Sequence, residues 1–413
     1  MAFDTAEFAS EFSIFKYHEQ NDNPLHYLDN AATAQIPDCV ITAMADHDRH
    51  CRSNVKRGIH RLAEEANEAF EQARTTTAHY LGISNAREIV FTSGATAGIN
   101  LVAHGLEHTL KPGDEILLSV VEHHSNLVPW HMLRNRRGIA LRFLPMTSEG
   151  TVDLSRCDEY LTEKTRLVTV THGSNVTGAI TDIVRIARAA HDRGIPVLFD
   201  GAQVAPAGPL DLPKLGADFY VFSGHKVYGP NGIGILWGRE ELLNTMLPVF
   251  GGGEMIRNVA LNETSYAESP HRFEAGTPPI TQAVGLAHAL NWLQRFDLAG
   301  MHDHLTSLTR RIMDGLATIG RDGHAIRILG PPPDEKRLSL VAFSTRSIHP
   351  HDICQVMSDL YNVALRGGHH CAQPLHQQYG LDGSTRASLA GYNTDNDIDV
   401  FLEGLSHCIT MLG

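Results

Sequence analysis

The chain has 413 residues, of which 42% are hydrophobic and 20% are charged, and it carries a formal net charge of -13. This length predicts two domains, and the composition is that of an ordinary soluble globular protein. The negative charge argues against nucleic acid or anionic lipid as a partner, because both bind basic surfaces.

The histidines and cysteines of the sequence indicate neither a metal site nor a disulfide framework. The 25 histidines are scattered, and none is spaced with a cysteine as in a zinc site. The six cysteines include no C-x-x-C pair, a pattern that favours reduced thiols in the cytoplasm. The N-terminus lacks the features of a signal peptide, and no apolar run approaches the ~20 residues of a membrane span. We therefore expect a cytoplasmic protein without a metal or a membrane partner.

The first predicted elements are helices that flank a short strand. Phe8, Phe12 and Phe15 recur at helical spacing and predict one short amphipathic helix within residues 4–15. A short strand then leads into the small residues of the turn at 29–33. Residues 60–80 alternate charged and apolar side chains with a helical period, which predicts a long helix.

A turn rich in glycine and hydroxyl groups follows the predicted strand at 88–92. It contains Ser93, Gly94, Ala95 and Thr96 and leads into a helix. The free N–H groups and positive dipole end of such a helix attract an anion such as phosphate. Residues of these types also occur at strand-to-helix turns for capping alone, so the turn by itself is a weak signal.

Two further strands are followed by polar side chains that suit a cofactor site. His123 follows the strand at 115–119, where its imidazole could lie on an aromatic ring and move a proton, or could only cap the next helix. Asn175 follows the strand at 166–171, within reach of a cofactor oxygen or a substrate carboxylate.

The central stretch of the chain runs from Asp200 to Lys226. The apolar runs 195–199 and 219–222 predict two buried parallel strands, which end at Asp200 and at Ser223-Gly224-His225-Lys226. Open α/β sheets bind ligands at this end of their strands. A lysine can form a Schiff base with pyridoxal phosphate (PLP), and an acid can hold its ring nitrogen protonated. Either residue alone would be more typical of a surface lysine or a helix cap; together they predict a PLP site.

The alternation of strands and helices from about residue 85 to 240 predicts a mostly parallel, doubly wound sheet. Beyond it, the apolar periodicity of residues 281–298 predicts one long helix that connects to a smaller domain. That domain contains a predicted strand at 338–343, a helix at 351–361 and a polar loop at 366–374.

Several stretches resemble one family. Residues 217–226, Ala-Asp-Phe-Tyr-Val-Phe-Ser-Gly-His-Lys, resemble the lysine signature of class V aminotransferase-fold enzymes. Residues 366–374, Arg-Gly-Gly-His-His-Cys-Ala-Gln-Pro, resemble the nucleophile loop of group II cysteine desulfurases and selenocysteine lyases. Matching segments across essentially the whole chain follow the family's order: 27–32, 122–126, 272–278 and 385–388. Agreement among separate motifs is far more specific than one glycine pattern.

The resemblance implies the α/β PLP-dependent transferase fold of type I. This fold has a mostly parallel, doubly wound sheet in a large domain and a smaller α+β domain. We expect the large PLP-binding domain over residues 25–285 and the small domain, with the Cys371 loop, over residues 1–24 and 286–413. The resemblance also implies a homodimer with active sites near its interface.

Roles for cofactor-binding residues follow from the same resemblance. Lys226 is implied as the covalent attachment point, Asp200 as the partner of the ring nitrogen, Gln203 as the partner of the ring hydroxyl, and His123 as the stacking residue. Asn175 belongs to this set as well. The phosphate contacts are implied at Ala95, Thr96, Ser223, His225 and Thr277 of the partner subunit. Ala95 and Ala97 replace the threonine and glutamate that are more usual in the phosphate loop, which removes one hydroxyl contact.

The implied reaction is PLP-dependent removal of sulfur from L-cysteine, with L-selenocysteine as an alternative substrate. Arg386, with Asn175 and Arg366, is implied to hold the substrate carboxylate, and Cys371 to take the sulfur. The products are L-alanine and a Cys371 persulfide, which passes to a small acceptor protein for assembly of iron–sulfur clusters or another sulfur cofactor. Gly367 stands where the family more often has threonine or alanine, which could loosen the loop.

The residues leave alternatives open. Cys371 could be a small buried hydrophobe, although its polar neighbours argue for a reactive thiol. Arg386 could form a salt bridge between domains instead of binding a carboxylate with its planar guanidinium. Another class V reaction, such as transamination or epimerisation, would need no nucleophilic cysteine. A non-catalytic sulfur-relay scaffold would be expected to have lost Lys226, Asp200 or Cys371.

Overall fold

The computed structural model describes residues 3–56, 58–321 and 326–413. Its strands in chain order are β1 (His26–Tyr27), β2 (Ile89–Thr92), β3 (Glu115–Ser119), β4 (Ala140–Leu144), β5 (Thr165–Thr171), β6 (Val197–Asp200), β7 (Phe219–Ser223), β8 (Gly234–Gly238), β9 (Ile256–Val259), β10 (Thr264–Tyr266), β11 (Ile326–Leu329), β12 (Leu340–Thr345), β13 (Val363–Ala364), β14 (Arg366–Gly368) and β15 (Ser384–Ser388).

Helices precede, separate and follow these strands along the chain. They are α1 (Thr5–Ser10), α2 (Ser13–Gln20), α3 (Asp38–His50), α4 (Arg61–Tyr80), α5 (Ala95–Leu106), α6 (Val128–Arg137), α7 (Cys157–Tyr160), α8 (Ile183–His191), α9 (Leu212–Leu215), α10 (Glu240–Leu243), α11 (Ile280–Leu293), α12 (Leu298–Arg321), α13 (Pro350–Tyr361), α14 (Gln373–Tyr379) and α15 (Asp395–Leu412).

A seven-stranded sheet forms the centre of the fold, in the order β2-β8-β7-β6-β5-β3-β4. Strands β4, β3, β5, β6 and β7 run parallel to one another, whereas β8 is antiparallel to β7 and β2, the strands on either side of it. Every residue of β2, β6, β7 and β8 is buried, as expected for a sheet covered on both faces by helices. The predicted mostly parallel, doubly wound sheet is confirmed.

A second, antiparallel sheet has the order β11-β12-β15-β14. It shares a hydrophobic core with the N-terminal residues Phe8 and Phe12 and with helices α12, α13 and α15. Short β1 pairs in parallel with β13, so the first strand of the chain lies beside this body. The division at residues 25 and 285 into two domains stays a prediction.

The N-terminal segment forms two helices where the spacing of Phe8 and Phe12 predicted one. The Asp4 carboxylate accepts hydrogen bonds from the N–H groups of two residues and starts α1. Asp38 accepts from both the N–H and the hydroxyl of Ser13, at 3.1 and 2.7 Å, and starts α2. Both phenylalanines are fully buried. The predicted apolar face is therefore correct, but the prediction of one continuous helix is wrong.

The long helix predicted over residues 281–298 is also divided. Helix α11 ends at Leu293, and α12 begins at Leu298. The Asp297 carboxylate accepts a hydrogen bond of 3.0 Å from the N–H of Gly300, which is the capping contact that starts a new helix.

No helix among the described residues is long and apolar enough to cross a bilayer.

A buried ion pair joins α4 to the segment that precedes α11. Both guanidinium Nη atoms of Arg74 donate to the carboxylate of Glu274, at 2.7 and 3.0 Å, and each side chain is 2% exposed. Glu274 also accepts from the N–H of Phe91 in β2. These contacts tie a helix, a strand and a loop together, because both charges are satisfied only while all three elements are packed.

We predict that Glu274→Gln destabilises the protein by about 3–5 kcal/mol, because it removes the buried counter-charge of Arg74 and leaves this cation with the partly exposed Glu71. The midpoint of thermal unfolding, measured by circular dichroism, should fall clearly. Arg74 lowers the pKa of Glu274, so the stabilisation is complete well above the ~4.3 of an unfolded glutamate and is lost as the pH falls below it. Glu159→Gln, which breaks a fully exposed pair with Arg156, should leave the midpoint unchanged. Equal midpoints for both variants would contradict the prediction.

Candidate active site

The cavity that contains most of the predicted site residues lies at the carboxyl ends of β5, β6 and β7. It has a volume of about 190 Å³. Its walls combine side chains from the large sheet with others from the antiparallel sheet: Ala31, Ala32, Ala95, Thr96, His123, Ser125, Thr171, Gly173, Asn175, Asp200, Ala202, Gln203, Ser223, His225, Lys226, Arg366, His370 and Arg386. The structure thus brings together residues that are up to 355 positions apart in the chain, from Ala31 to Arg386 (386 − 31).

Lys226 lies on the helical turn that directly follows β7. Lys226 is half-buried, and the loss of solvent around its ammonium group lowers the pKa of that group from 10.5 to about 8. The nearby charges of Arg386 and Arg366 lower it further, while Asp200 and Cys371 oppose the shift. A substantial fraction of the amine is therefore uncharged near neutral pH, which is the form that attacks an aldehyde.

Asp200 is the last residue of β6 and is 4% exposed. One of its carboxylate oxygens accepts a 3.0 Å hydrogen bond from the N–H of Ala202. Burial raises the pKa of this carboxyl. No described residue places a cation within ion-pair distance of it, so the site leaves the carboxylate available for a positively charged ligand atom.

The opposite end of the cavity is formed by the N-terminus of α5. Gly94 precedes the helix with φ of 149°, a conformation that favours glycine. The N–H of Ala95 donates to the hydroxyl of Ser223 at 2.9 Å, and the hydroxyls of Thr96 and Ser125 lie 2.6 Å apart. Hydroxyl groups and the helix dipole therefore meet at one point of the wall, an arrangement typical of phosphate binding.

His123 presents a neutral imidazole to the cavity. Burial and the charge of Lys226 lower its pKa to about 3. The N–H of Ser125 donates to Nδ1 of His123 at 3.0 Å. Nε2 therefore carries the ring proton, so His123 can donate a hydrogen bond but carries no charge.

Two arginines form the side of the cavity that belongs to the antiparallel sheet. Arg366 of β14 and Arg386 of β15 lie directly opposite each other in the strand register. One Nη of Arg386 donates to the carbonyl of Asn175 at 2.9 Å, and the other donates to Asp29 at 3.0 Å. The Nε of Arg386 is buried without a hydrogen-bond partner among the described residues. This free donor suits a carboxylate ligand.

The loop that carries Cys371 is closed onto the large sheet. The N–H of His124 donates to the carbonyl of Cys371, and the side chain of Asn175 donates to the carbonyl of His370, both at 2.7 Å. His370 and Cys371 both have positive φ, of 51° and 57°. Cys371 is half-buried and lies close enough to Lys226 and Arg386 for a thiolate at this position to raise the pKa of both.

A chain of hydrogen bonds beneath this loop determines the tautomer of His370. Nδ1 of His376 lies 3.0 Å from the carbonyl of Ala372 and must carry a proton, which leaves its Nε2 to accept from the hydroxyl of Ser384 at 3.0 Å. Nε2 of His370 lies 3.0 Å from the carbonyl of Ser384 and must donate to it. The Nδ1 of His370 is therefore a buried acceptor without a hydrogen-bond partner among the described residues.

The prediction of a polar loop over residues 366–374 is only partly correct. Residues Arg366–Gly368 form β14, and Gln373 already begins α14. A Cβ added to Gly367 would lie 2.8 Å from the carbonyl oxygen of Pro350, at the start of α13. The glycine thus allows close packing of a strand on a helix, which sequence reasoning had interpreted as a source of looseness.

Thr277 is the one predicted cofactor contact that is absent from this cavity. It lies instead beside His47, Asp48 and Arg52 in a separate cavity of about 350 Å³. Its predicted contact across a dimer interface stays a prediction. Conversely, sequence reasoning assigned no role to Asp29, Ser125 or His370. All three lie within stretches that carried the resemblance, but motif matching does not say which side chains point inward.

Comparisons with known proteins agree with this geometry. Residues 26–401 match the family model described as Aminotransferase class-V. The chain belongs to the class V aminotransferase family. It is 41% identical to a cysteine desulfurase of Cronobacter sakazakii, covering 100% of both chains, and 41% identical to a probable cysteine desulfurase of Streptomyces coelicolor, covering 99% and 98%.

Solved structures of family members share the fold over the whole chain. The cysteine desulfurase CsdA of Escherichia coli superposes with a TM-score of 0.91 at 36% identity, and 100% of both chains is covered. A cysteine desulfurase of Thermococcus onnurineus gives a TM-score of 0.89 at 36% identity, covering 94% of this chain and 95% of the other. The predicted fold class and the resemblance to cysteine desulfurases are confirmed.

The cavity fits PLP, the cofactor of this family. It offers an amine with a lowered pKa for the aldehyde and, for the ring nitrogen, a carboxylate that no cation of the described chain pairs with. It also offers a helix N-terminus with hydroxyl groups for the phosphate. Lys226, Asp200 and the start of α5 thus offer partners for the aldehyde, the ring nitrogen and the phosphate of the cofactor.

We predict that apoprotein incorporates PLP covalently at a rate that rises with pH and levels off above about 8, because Lys226 must lose its proton. The visible absorbance of the linked cofactor measures this rate. Arg386→Gln removes a cation that lowers the pKa of Lys226, so its curve should move to higher pH. Lys226→Ala should give no such band at any pH. A wild-type curve still rising at pH 10, near the value of ordinary lysine, would contradict the prediction.

Proposed function

We propose that the protein is a PLP-dependent cysteine desulfurase that removes sulfur from L-cysteine and collects it on Cys371. The proposal is carried by one observation: the Cys371 loop is hydrogen-bonded to Asn175, which lines the cavity that contains Lys226, and to the N–H of His124. A transaminase or epimerase would need the lysine and the acid but no thiol held at that position. The full-length similarity to cysteine desulfurases supports the same assignment.

Lys226 and Asp200 are the residues that we propose hold the reactive part of the cofactor. Ser223, Thr96 and the N-terminus of α5 would hold its phosphate, with His225 and Gln203 on the adjoining wall. When bound, PLP supplies an electron sink for the electron pair that remains on Cα after deprotonation. The buried Asp200 carboxylate would keep the ring nitrogen positively charged.

Two residues are placed to move or hold protons. The amine of Lys226, with its pKa near 8, can take a proton from Cα of the substrate and return it. Burial keeps the imidazole of His123 neutral. Its one N–H group is at Nε2, because Nδ1 accepts a hydrogen bond from the N–H of Ser125. A neutral donor next to Lys226 avoids a further charge in a cavity that is already rich in cations.

The substrate carboxylate would bind to Arg386. The guanidinium is buried, and burial lowers its pKa, so an arriving carboxylate satisfies a charge that water cannot reach. The free Nε supplies one donor, and Arg366 contributes a second cation from the neighbouring strand. Asn175 acts indirectly, because its carbonyl and side chain hold Arg386 and the Cys371 loop in position.

In the sulfur-transfer step, the thiolate of Cys371 attacks the sulfur of L-cysteine. A sulfur–sulfur bond forms and the bond between the substrate's Cβ and its sulfur breaks. The electron pair of the broken bond stays on Cβ, which takes up a proton and becomes the methyl group of alanine. In the overall balance the proton of the Cys371 thiol replaces the sulfur on that carbon, and the enzyme is left with a persulfide.

The proposal includes a homodimer, a small protein that accepts the persulfide sulfur, and a role in assembling iron–sulfur clusters or another sulfur cofactor. L-selenocysteine is an alternative substrate, because selenium offers the same electrophilic position. A cytoplasmic location is proposed as well, and the free thiols of all six cysteines support a reducing compartment.

We predict that wild-type holoenzyme treated with L-cysteine gains the mass of one or more sulfur atoms on the peptide that contains Cys371, as measured by mass spectrometry. Cys371→Ser should keep the cofactor absorbance but lose alanine release by about 100-fold or more, because the nucleophile is gone.

Cys354→Ser is the matched control. This cysteine is also half-buried, but burial raises its pKa to about 12, so it holds almost no thiolate. The control should release alanine at the wild-type rate. Sulfur found on Cys51 or Cys354 in the wild-type enzyme would refute the assignment of Cys371.

A further inference from the structure

Asp29 forms an internal ion pair with the arginine that we assign to the substrate carboxylate. The Nη2 of Arg386 donates to Oδ1 of Asp29 at 3.0 Å. The side chain of Arg386 is 2% exposed and that of Asp29 is 21% exposed. Among the described residues Asp29 supplies the only carboxylate within ion-pair distance of this guanidinium. One edge of the guanidinium is therefore already occupied by a carboxylate of the protein before a substrate binds.

The position of Asp29 is fixed by the backbone on either side of it. Asp29 forms an isolated parallel bridge with Ser388 of β15. The N–H of Ser388 donates to the carbonyl of Leu28 at 2.7 Å, and the N–H of Ala31 donates to the hydroxyl of Ser388 at 2.9 Å. Since β15 also carries Arg386, these contacts hold the backbone of Asp29 next to the arginine.

Asp29 and a substrate can nevertheless occupy Arg386 at the same time. Asp29 is not part of the cavity wall, whereas Arg386 is, and the Nε of Arg386 has no described partner. The interaction between the two carboxylates is therefore electrostatic repulsion, without a steric clash. Asp29 reduces the net positive charge that Lys226, Arg366 and Arg386 present to an arriving carboxylate.

Weaker binding of α-carboxylates by Arg386 suits this reaction. L-cysteine and L-alanine carry the same α-carboxylate and α-amino groups, so any contact with these groups binds substrate and product alike. Such uniform binding lowers KM without accelerating the chemical step, and it delays product release.

We propose that Asp29 is a positioning residue that orients Arg386 and lowers its affinity for α-carboxylates, so that alanine leaves the site readily. The inference rests on the proposed function, because it needs alanine as the product.

The test compares L-alanine with ethylamine, which is alanine without its carboxylate, on wild-type and Asp29→Asn holoenzymes. Asparagine keeps an acceptor oxygen for Nη2 of Arg386 and removes only the charge. The Kd for L-alanine, read from the change in cofactor absorption, should fall on the order of tenfold. The Kd for ethylamine should stay the same or rise, and KM for L-cysteine should fall without a gain in kcat.

Asp29→Ser offers a second neutral acceptor in case the asparagine variant does not fold. Asp314→Asn removes one charge from an exposed position on α12 and should change neither constant. Unchanged or weaker alanine binding in both Asp29 variants overturns the inference, as does equal tightening for ethylamine. Failure of the proposed function is recognised separately: the wild-type enzyme would release no alanine from L-cysteine, while both titrations could still be measured.

Discussion

Positive charge concentrated around one small cavity is the constraint on which the active site depends. Lys226, Arg366 and Arg386 face one small cavity, and two of them are cross-strand neighbours whose like charges repel. Carbonyl oxygens and the carboxylates of Asp29 and Asp200 compensate this charge only in part. The cavity is therefore prepared for anions, and the lowered pKa values of Lys226 and His123 follow from the same burial and the same cations.

The site exists only because two sheets are held against each other. Asn175 shows how this is done, since its carbonyl accepts from Arg386 and its side chain donates to the loop before Cys371. The loop itself is held by the N–H of His124, which belongs to the turn after β3. Two successive residues with positive φ turn the chain so that these contacts can form. Sulfur chemistry thus depends on backbone contacts as much as on the nucleophile.

Much of this arrangement could be predicted from the sequence. Short apolar runs that end in polar residues predicted β6 and β7 and placed Asp200 and Lys226 at the same edge, because parallel strands share their carboxyl ends. The predictions were wrong where the spacing of apolar residues could not show where a helix ends. The helix divisions at Ser13 and Leu298 depend on caps supplied by Asp38 and Asp297, and the first of these is 25 residues away in the chain. Gly367 was interpreted as a loosening residue because the family more often has threonine or alanine there, and its close packing on the start of α13 is visible only in the structure.

The sequence by itself determined the residue types of the reaction, the order of the motifs and the sheet that carries them, because strand periodicity and strand ends are local properties. Only the tertiary structure decided which charges are paired. It placed Asp29 against Arg386, and within the described part of the chain it gave the Asp200 carboxylate no cation at ion-pair distance and Nδ1 of His370 no hydrogen-bond partner. Pairing and pKa depend on distances of a few ångströms between residues hundreds of positions apart, and those distances exist only after the two sheets have packed together.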